Sequence, residues 1–196
     1  MTRESAAALS ALPETFTFAE AMRRGVSRRS LQRFVADGLV ERIARGLYRH
    51  TDAELADHDL IEIAAKAHRP TLCLLSALAR HDLTDIIPAA HDVAVPRGTW
   101  LPAVSAPVHW HKFDAGTFEI GRVETTVEGT YNIGMYDAPR SIVDAYRLRH
   151  AVGPEVANEA LRRWLRSGGT PAKLMHLAEA FPAAKPALLH ALQILL

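Results

Sequence analysis

The sequence predicts an α+β protein, and three observations lead there. Basic charge sits at one end: residues 1–50 hold nine Arg and five Asp or Glu, whereas residues 51–196 hold fourteen Lys or Arg and seventeen Asp or Glu. Helix start and stop signals crowd the first fifty residues and run into a short basic hairpin pattern. Beyond them, five strand-like segments punctuated by glycine lie between runs of helical pattern, which marks segregated rather than alternating helices and strands.

The elements follow in order. An alanine-rich helix over 5–12 is stopped by Pro13. Thr17-Phe18-Ala19-Glu20 fits a capping box, so a helix starts at Phe18, buries Phe18, Ala21 and Met22, and ends at Gly25. Ser27 is a good N-cap for a second helix, with Val26 able to staple onto Leu31. Leu31, Phe34 and Val35 form its apolar stripe, while Arg28 with Gln32 and Arg29 with Arg33 stand one turn apart on the other side. Gly38 closes it. Residues 39–43 and 47–49 then read as two strands around Ala44-Arg45-Gly46, where one positive φ suits glycine. Two short helices joined by a tight turn and followed by a basic hairpin make a winged helix-turn-helix.

That arrangement suits DNA. Arg pairs bidentately with guanine and Gln with adenine in the major groove, and Arg42 and Arg45 on the wing meet phosphates or the minor groove. The expected DNA-binding set is Thr17, Ser27, Arg28, Arg29, Gln32, Arg33, Arg42, Arg45 and Gly46. A solvated basic face, or a winged helix serving protein interaction, is the alternative use of the same residues.

The string Leu39-Val40-Glu41-Arg42-Ile43-Ala44-Arg45-Gly46-Leu47-Tyr48-Arg49 resembles the wing of AbiEi-type antitoxins, the transcriptional-regulator half of abortive-infection toxin–antitoxin pairs. Ser27-Arg28-Arg29-Ser30-Leu31-Gln32-Arg33 stands where that family has its recognition helix. Residues 58–62, 75–81 and 139–144 are similar to its second domain. The resemblance implies a winged helix that binds inverted repeats in its own promoter and represses the operon. It also implies a C-terminal domain that counters a nucleotidyltransferase-like toxin, without a stable complex in several systems. The expected domains are residues 1–53, winged helix, and 54–196, an α+β domain with a small mostly antiparallel sheet flanked by helices. Two copies would meet an inverted repeat, as a homodimer or bound independently.

In the second region, 57–68 and 71–81 read as helices, with Pro70 opening the second. Strands are expected over 92–95, 107–113, 117–120, 122–127 and 131–135, then helices over 139–150, 154–167, 171–180 and 183–195. The apolar run 188–196 must pack on the domain or on a second protomer. Asp137 can cap the helix opening at Pro139, and Arg140 can pair with Asp144 at i, i+4. Arg162, Arg163 and Arg166, with Lys173 nearby, form a solvated face or a second surface for an anionic partner.

Composition excludes much else. With 48% hydrophobic and 23% charged residues, the chain can bury a core without disulfides or metal. The single Cys73, inside Leu72–Leu75, reads as a buried thiol and rules out a disulfide framework or Cys-rich zinc site. No phosphate-cradling loop or dinucleotide fingerprint occurs. His109 and His111, with His91 or Asp92, could chelate a metal, yet two histidines at that spacing are more often ordinary sheet residues. Glu119, Glu124 and Glu128 lack the lysine two residues on that a metal-dependent nuclease would want. The reading is therefore a non-enzymatic, cytoplasmic regulator with no cofactor and no metal. The alternatives are a winged-helix-targeted nuclease and a protein-interaction module.

Overall fold

Local capping sets the N-terminal order. The computed structural model describes residues 3–54, 56–129 and 131–195. It begins α1 (Arg3–Ser10), β1 (Thr15–Thr17), α2 (Phe18–Arg23), α3 (Arg28–Ala36), β2 (Val40–Ala44) and β3 (Leu47–His50). Thr17 and Glu20 close the expected capping box on α2. Ser27 caps α3 by accepting a hydrogen bond from the Ser30 N–H at 3.0 Å. Gly46 takes φ +76 at the hairpin turn, a conformation that L side chains rarely adopt. Both hairpin strands and β1 are antiparallel, in the order β1-β3-β2, with Phe16 opposite Tyr48 and Val40 opposite His50. This element order and sheet are those of a winged helix-turn-helix.

The core under these elements is Leu12, Phe16, Ala21, Val26, Leu31, Phe34 and Val40. Two expected core positions differ: Phe18 and Val35 remain 36% and 37% exposed. Each lies at the edge of its helix's buried stripe, on the side that faces the hairpin.

The chain divides into two compact units. The first takes everything up to Lys66, including α4 (His58–Lys66), together with 103–106 and 126–132. There Ala44, Leu47 and Ile61 pack with Val127 and Tyr131. The buried Glu62 carboxylate accepts the N–H groups of Ser105 and Ala106, each at 2.9 Å.

The second unit carries β4 (Thr71–Leu72), α5 (Leu74–Arg80), β5 (His91–Pro96), β6 (Val108–Phe113), β7 (Arg122–Glu128) and β8 (Tyr131–Tyr136). Residues 126–132 of the β7–β8 hairpin count with the first unit. Five helices follow: α6 (Ala138–Arg147), α7 (Arg149–Val152), α8 (Pro154–Arg166), α9 (Pro171–Ala178) and α10 (Lys185–Leu195). Leu196, the end of the expected apolar run, lies outside the described residues. The run itself packs through Leu188, Ala191 and Leu192.

The fold is α+β as expected, but its larger sheet is mixed rather than mostly antiparallel. Its order is β6-β5-β4-β8-β7, with β5–β6 and β4–β8 parallel and β4–β5 antiparallel. The cause is β4. Residues 71–81, expected as one helix, begin as a two-residue strand wedged between β5 and β8. Cys73 stays extended, and Leu74 turns through φ +44 into α5. Residues 117–120 form a turn instead of a strand. Arg140 takes their carbonyls: Nη1 donates to Thr117 O at 2.8 Å and to Ile120 O at 2.6 Å.

Arg140 is also the centre of the second unit's polar core. It and Asp144 are fully buried and joined at 2.9 Å, and Arg147 reaches the same carboxylate at 2.9 Å. The Arg140 guanidinium lies 4.2 Å from the ring centres of both Tyr136 and Phe181. Asp137 caps α6 by accepting the Arg140 N–H at 2.8 Å. Asp144→Ala should strand that guanidinium without its carboxylate and lower stability by about 3–5 kcal/mol, measured by urea unfolding.

Candidate nucleic-acid interface

Helix α3 presents Arg28, Arg29, Gln32 and Arg33 to solvent while Leu31 and Phe34 face inward. Arg28 and Gln32, one turn apart, share a groove of about 660 Å³ with Arg42, Arg45 and Gly46 of the hairpin. Phe18, Leu31, Val35 and Tyr48 complete its walls. Five of the nine expected residues thus meet at one concave surface, cationic along its rim and partly apolar within. Arg42 is held along the hairpin by its Nε donating to Ala44 O at 3.3 Å, and Arg45 is exposed at the turn.

Arg29 and Arg33 are exposed on the neighbouring face of α3 and do not line the groove. Thr17 and Ser27 act one step back, with their hydroxyls engaged in capping. The Thr17 hydroxyl donates to Glu20 Oε2 at 2.8 Å and accepts the Glu20 N–H at 3.2 Å, while the Thr17 N–H reaches Oε2 at 2.7 Å. Burial works to raise the Glu20 pKa, but the bonds from Thr17 and the charge of Arg23 outweigh it and hold the carboxyl below its usual range. Burial, with Glu20 beside it, pushes the Tyr131 phenol up to about 12.

Phe18 and Val35 were not expected on this surface. Their helical spacing with core residues is the same signal whether a side chain is buried or rims a groove.

One arginine of the hairpin points inward. Arg49 on β3 pairs with Glu128 at 2.7 Å, the side chains being 4% and 7% exposed. The Thr15 hydroxyl donates to the same carboxylate, and Arg49 also donates to the Glu54 carbonyl. No local pattern announces a pair 79 residues apart.

The remaining expected positions lie apart from this surface in the sequence. Arg162 pairs with Glu159 at 2.6 Å, and Arg163 with Glu159 at 2.8 Å and with Asp85. Those hydrogen bonds hold the Asp85 and Glu159 carboxyls below their usual range. Arg166 and Lys173 are exposed. Glu119 sits in a turn paired with Arg69, and Glu124 lies 3.8 Å from Arg122. With Glu128 on Arg49, each of the three carboxylates weighed for nuclease chemistry has its own arginine.

Residues 6–50, the segment that builds this surface, match the family described as "Transcriptional regulator, AbiEi antitoxin". The resemblance read in the wing and recognition-helix strings is therefore shown for that segment. Over nearly its whole length the chain is similar in fold to the crystal structure of RV2827C protein from Mycobacterium tuberculosis. The TM-score is 0.56 at 15% identity, covering 96% of this chain and 80% of that one. No curated protein matches. Among the described residues no helix is long and apolar enough to cross a membrane.

Glu128→Ala should cost about 3–5 kcal/mol in denaturant unfolding, and the pair Arg49→Met with Glu128→Leu should recover most of that loss. Thr17→Ala should cost about 1 kcal/mol. Because the folded state depresses the Glu20 pKa, its contribution is present at neutral pH and lost as pH falls through the carboxylate range. Acid unfolding followed by circular dichroism should show a shallower acid limb in Glu20→Gln.

Proposed function

We propose that the chain is a sequence-specific DNA-binding repressor of AbiEi-antitoxin type. The observation that carries this reading is the single groove around which Arg28, Gln32, Arg42 and Arg45 stand. Helix α3 enters the major groove, where Arg28 and Gln32 read purine edges through paired hydrogen bonds. Val35 and Phe18 offer apolar contact to a thymine methyl. Arg42 and Arg45 clamp the flanking backbone, Arg29 and Arg33 reach phosphates beside α3, and Gly46 lets the hairpin turn approach closely. Thr17 and Ser27 hold the first turns of α2 and α3 as their N-caps. One such module spans few base pairs, so two copies occupy an inverted repeat in the chain's own promoter.

The family match supports the regulator and antitoxin roles together. The second unit is read as the part that counters a nucleotidyltransferase-like toxin, with Arg162, Arg163, Arg166 and Lys173 as a further face toward an anionic partner. The protein is read as cytoplasmic and non-enzymatic. Co-expression with a neighbour-encoded nucleotidyltransferase-like protein should restore growth; failure to do so would leave a repressor without antitoxin action.

The direct test is a gel-shift titration on the upstream promoter at several salt concentrations, with scrambled competitor. Gln32→Ala should weaken specific binding by about 1–3 kcal/mol and relax preference at one base pair. Arg45→Ala should weaken all sequences alike and reduce the salt slope by about 0.9. Equal affinity for promoter and scrambled DNA in the unsubstituted protein would overturn the reading.

A further inference from the structure

Strands β5 and β6 bring together three side chains that neither the fold nor the DNA-binding surface requires as a group. Their parallel register sets Asp92 opposite His109 and Ala94 opposite His111. Residues two apart on a strand share a face, so both imidazoles stand on the side of Asp92, while His91 alternates to the other side. Asp92 Oδ1 lies 2.8 Å from His111 Nε2 and 3.7 Å from His109 Nδ1.

We propose that Asp92, His109 and His111 form a binding site for one divalent transition-metal ion of the zinc type. Zinc–nitrogen and zinc–oxygen bonds of about 2.0–2.2 Å in a tetrahedron place ligand atoms about 3.4 Å apart. The two spans from Asp92 bracket that value, while the His109 and His111 nitrogens stand more than 4.8 Å apart, so the His109 ring must turn inward for all three to meet one ion. Two imidazoles and one carboxylate suit zinc, cobalt or nickel rather than magnesium or calcium, and leave a coordination position for water.

The site combines a rigid side with an adjustable one. The Asp92 side chain is 9% exposed, and its backbone is pinned on both sides: its N–H donates to Ser76 Oγ at 2.8 Å, and its carbonyl accepts the Cys73 N–H at 3.0 Å. The His111 ring rests against Phe113, with centroids 6.2 Å apart. His109 is 71% exposed, so its ring can turn onto an arriving ion from the solvent side. The sequence left His91 and Asp92 as alternative third ligands, and the strand register selects Asp92, whose carboxylate supplies the charge that neutral imidazoles lack.

The test uses the full chain, tag-free and stripped with EDTA. It is titrated with Zn²⁺ by calorimetry and with Co²⁺ by visible absorption. One saturable Zn²⁺ equivalent per chain is expected, with Co²⁺ giving the intense visible bands of a low-coordinate site. His109→Ala, at a position too exposed to disturb folding, should weaken both by about tenfold or more, as should His111→Ala. His176→Ala, at an exposed histidine on α9, should leave both unchanged. Absence of saturable binding, or unchanged affinity in the His109 and His111 variants, would overturn the proposal. The cluster would then be a hydrogen-bonded pair, His111 with Asp92, and nothing more.

Discussion

The wing rests on a buried charge. Arg49 belongs to β3, the central strand of the three-stranded sheet, where a side chain on the inner face has no water to solvate it. A lone guanidinium there would cost several kcal/mol, and a carboxylate with both oxygens engaged offsets that cost. Glu128 is such a carboxylate, since the Arg49 guanidinium and the Thr15 hydroxyl divide its two oxygens. β3 is therefore tied to Glu128 by charge, with Leu47 packed against Val127 and Tyr131, and β1 is tied to the same carboxylate by the Thr15 hydroxyl. The position of the hairpin, and hence of Arg42 and Arg45, depends on chain that arrives nearly eighty residues later.

That dependence changes how the basic segment is to be counted. Eight arginines fall between Met22 and Arg49, but they do not form one cationic surface. Arg49 is neutralised inside, and Arg24 is tied to the Ala11 carbonyl. Of the acidic residues nearby, Glu20 is occupied in its capping box, and Glu41 lies 3.8 Å from His58. Arg28, Arg42 and Arg45 thus line a groove whose walls include no carboxylate among the described residues. Net charge alone overstates the number of cations and says nothing of where they gather.

What was legible in the sequence was what is local. Capping at Thr17 and Ser27, the Gly46 turn and the Arg28–Gln32 ridge follow from neighbours within one or two turns of chain, and the structure places them so. What was not legible is set at long range. β1 and β4 are three and two residues long, too short for alternation to show, and exist because a neighbouring strand offers an edge. Residues 117–120 have strand-like composition, yet their carbonyls go to Arg140. Phe18 and Val35 fit the apolar period of their helices but lie at its edge, where only the approach of the hairpin decides between core and groove.

The same distinction governs the second unit. Asp137, Arg140 and Asp144 concentrate charge near a sheet, which is where a catalytic constellation would also draw the eye. Each is instead structural. Asp137 caps a helix, Arg140 braces the 117–120 turn, and Asp144 is the counter-charge to two guanidiniums. Arg140 is enclosed between Tyr136 and Phe181, so a substrate has no route to it without opening the core. The Asp92 cluster differs in one physical respect. Its carboxylate is nearly buried, while one of its imidazoles is largely in water. A buried polar group with every partner inside the core is explained by stability. One that shares its partner with solvent keeps a position open, and an open position is what a ligand needs.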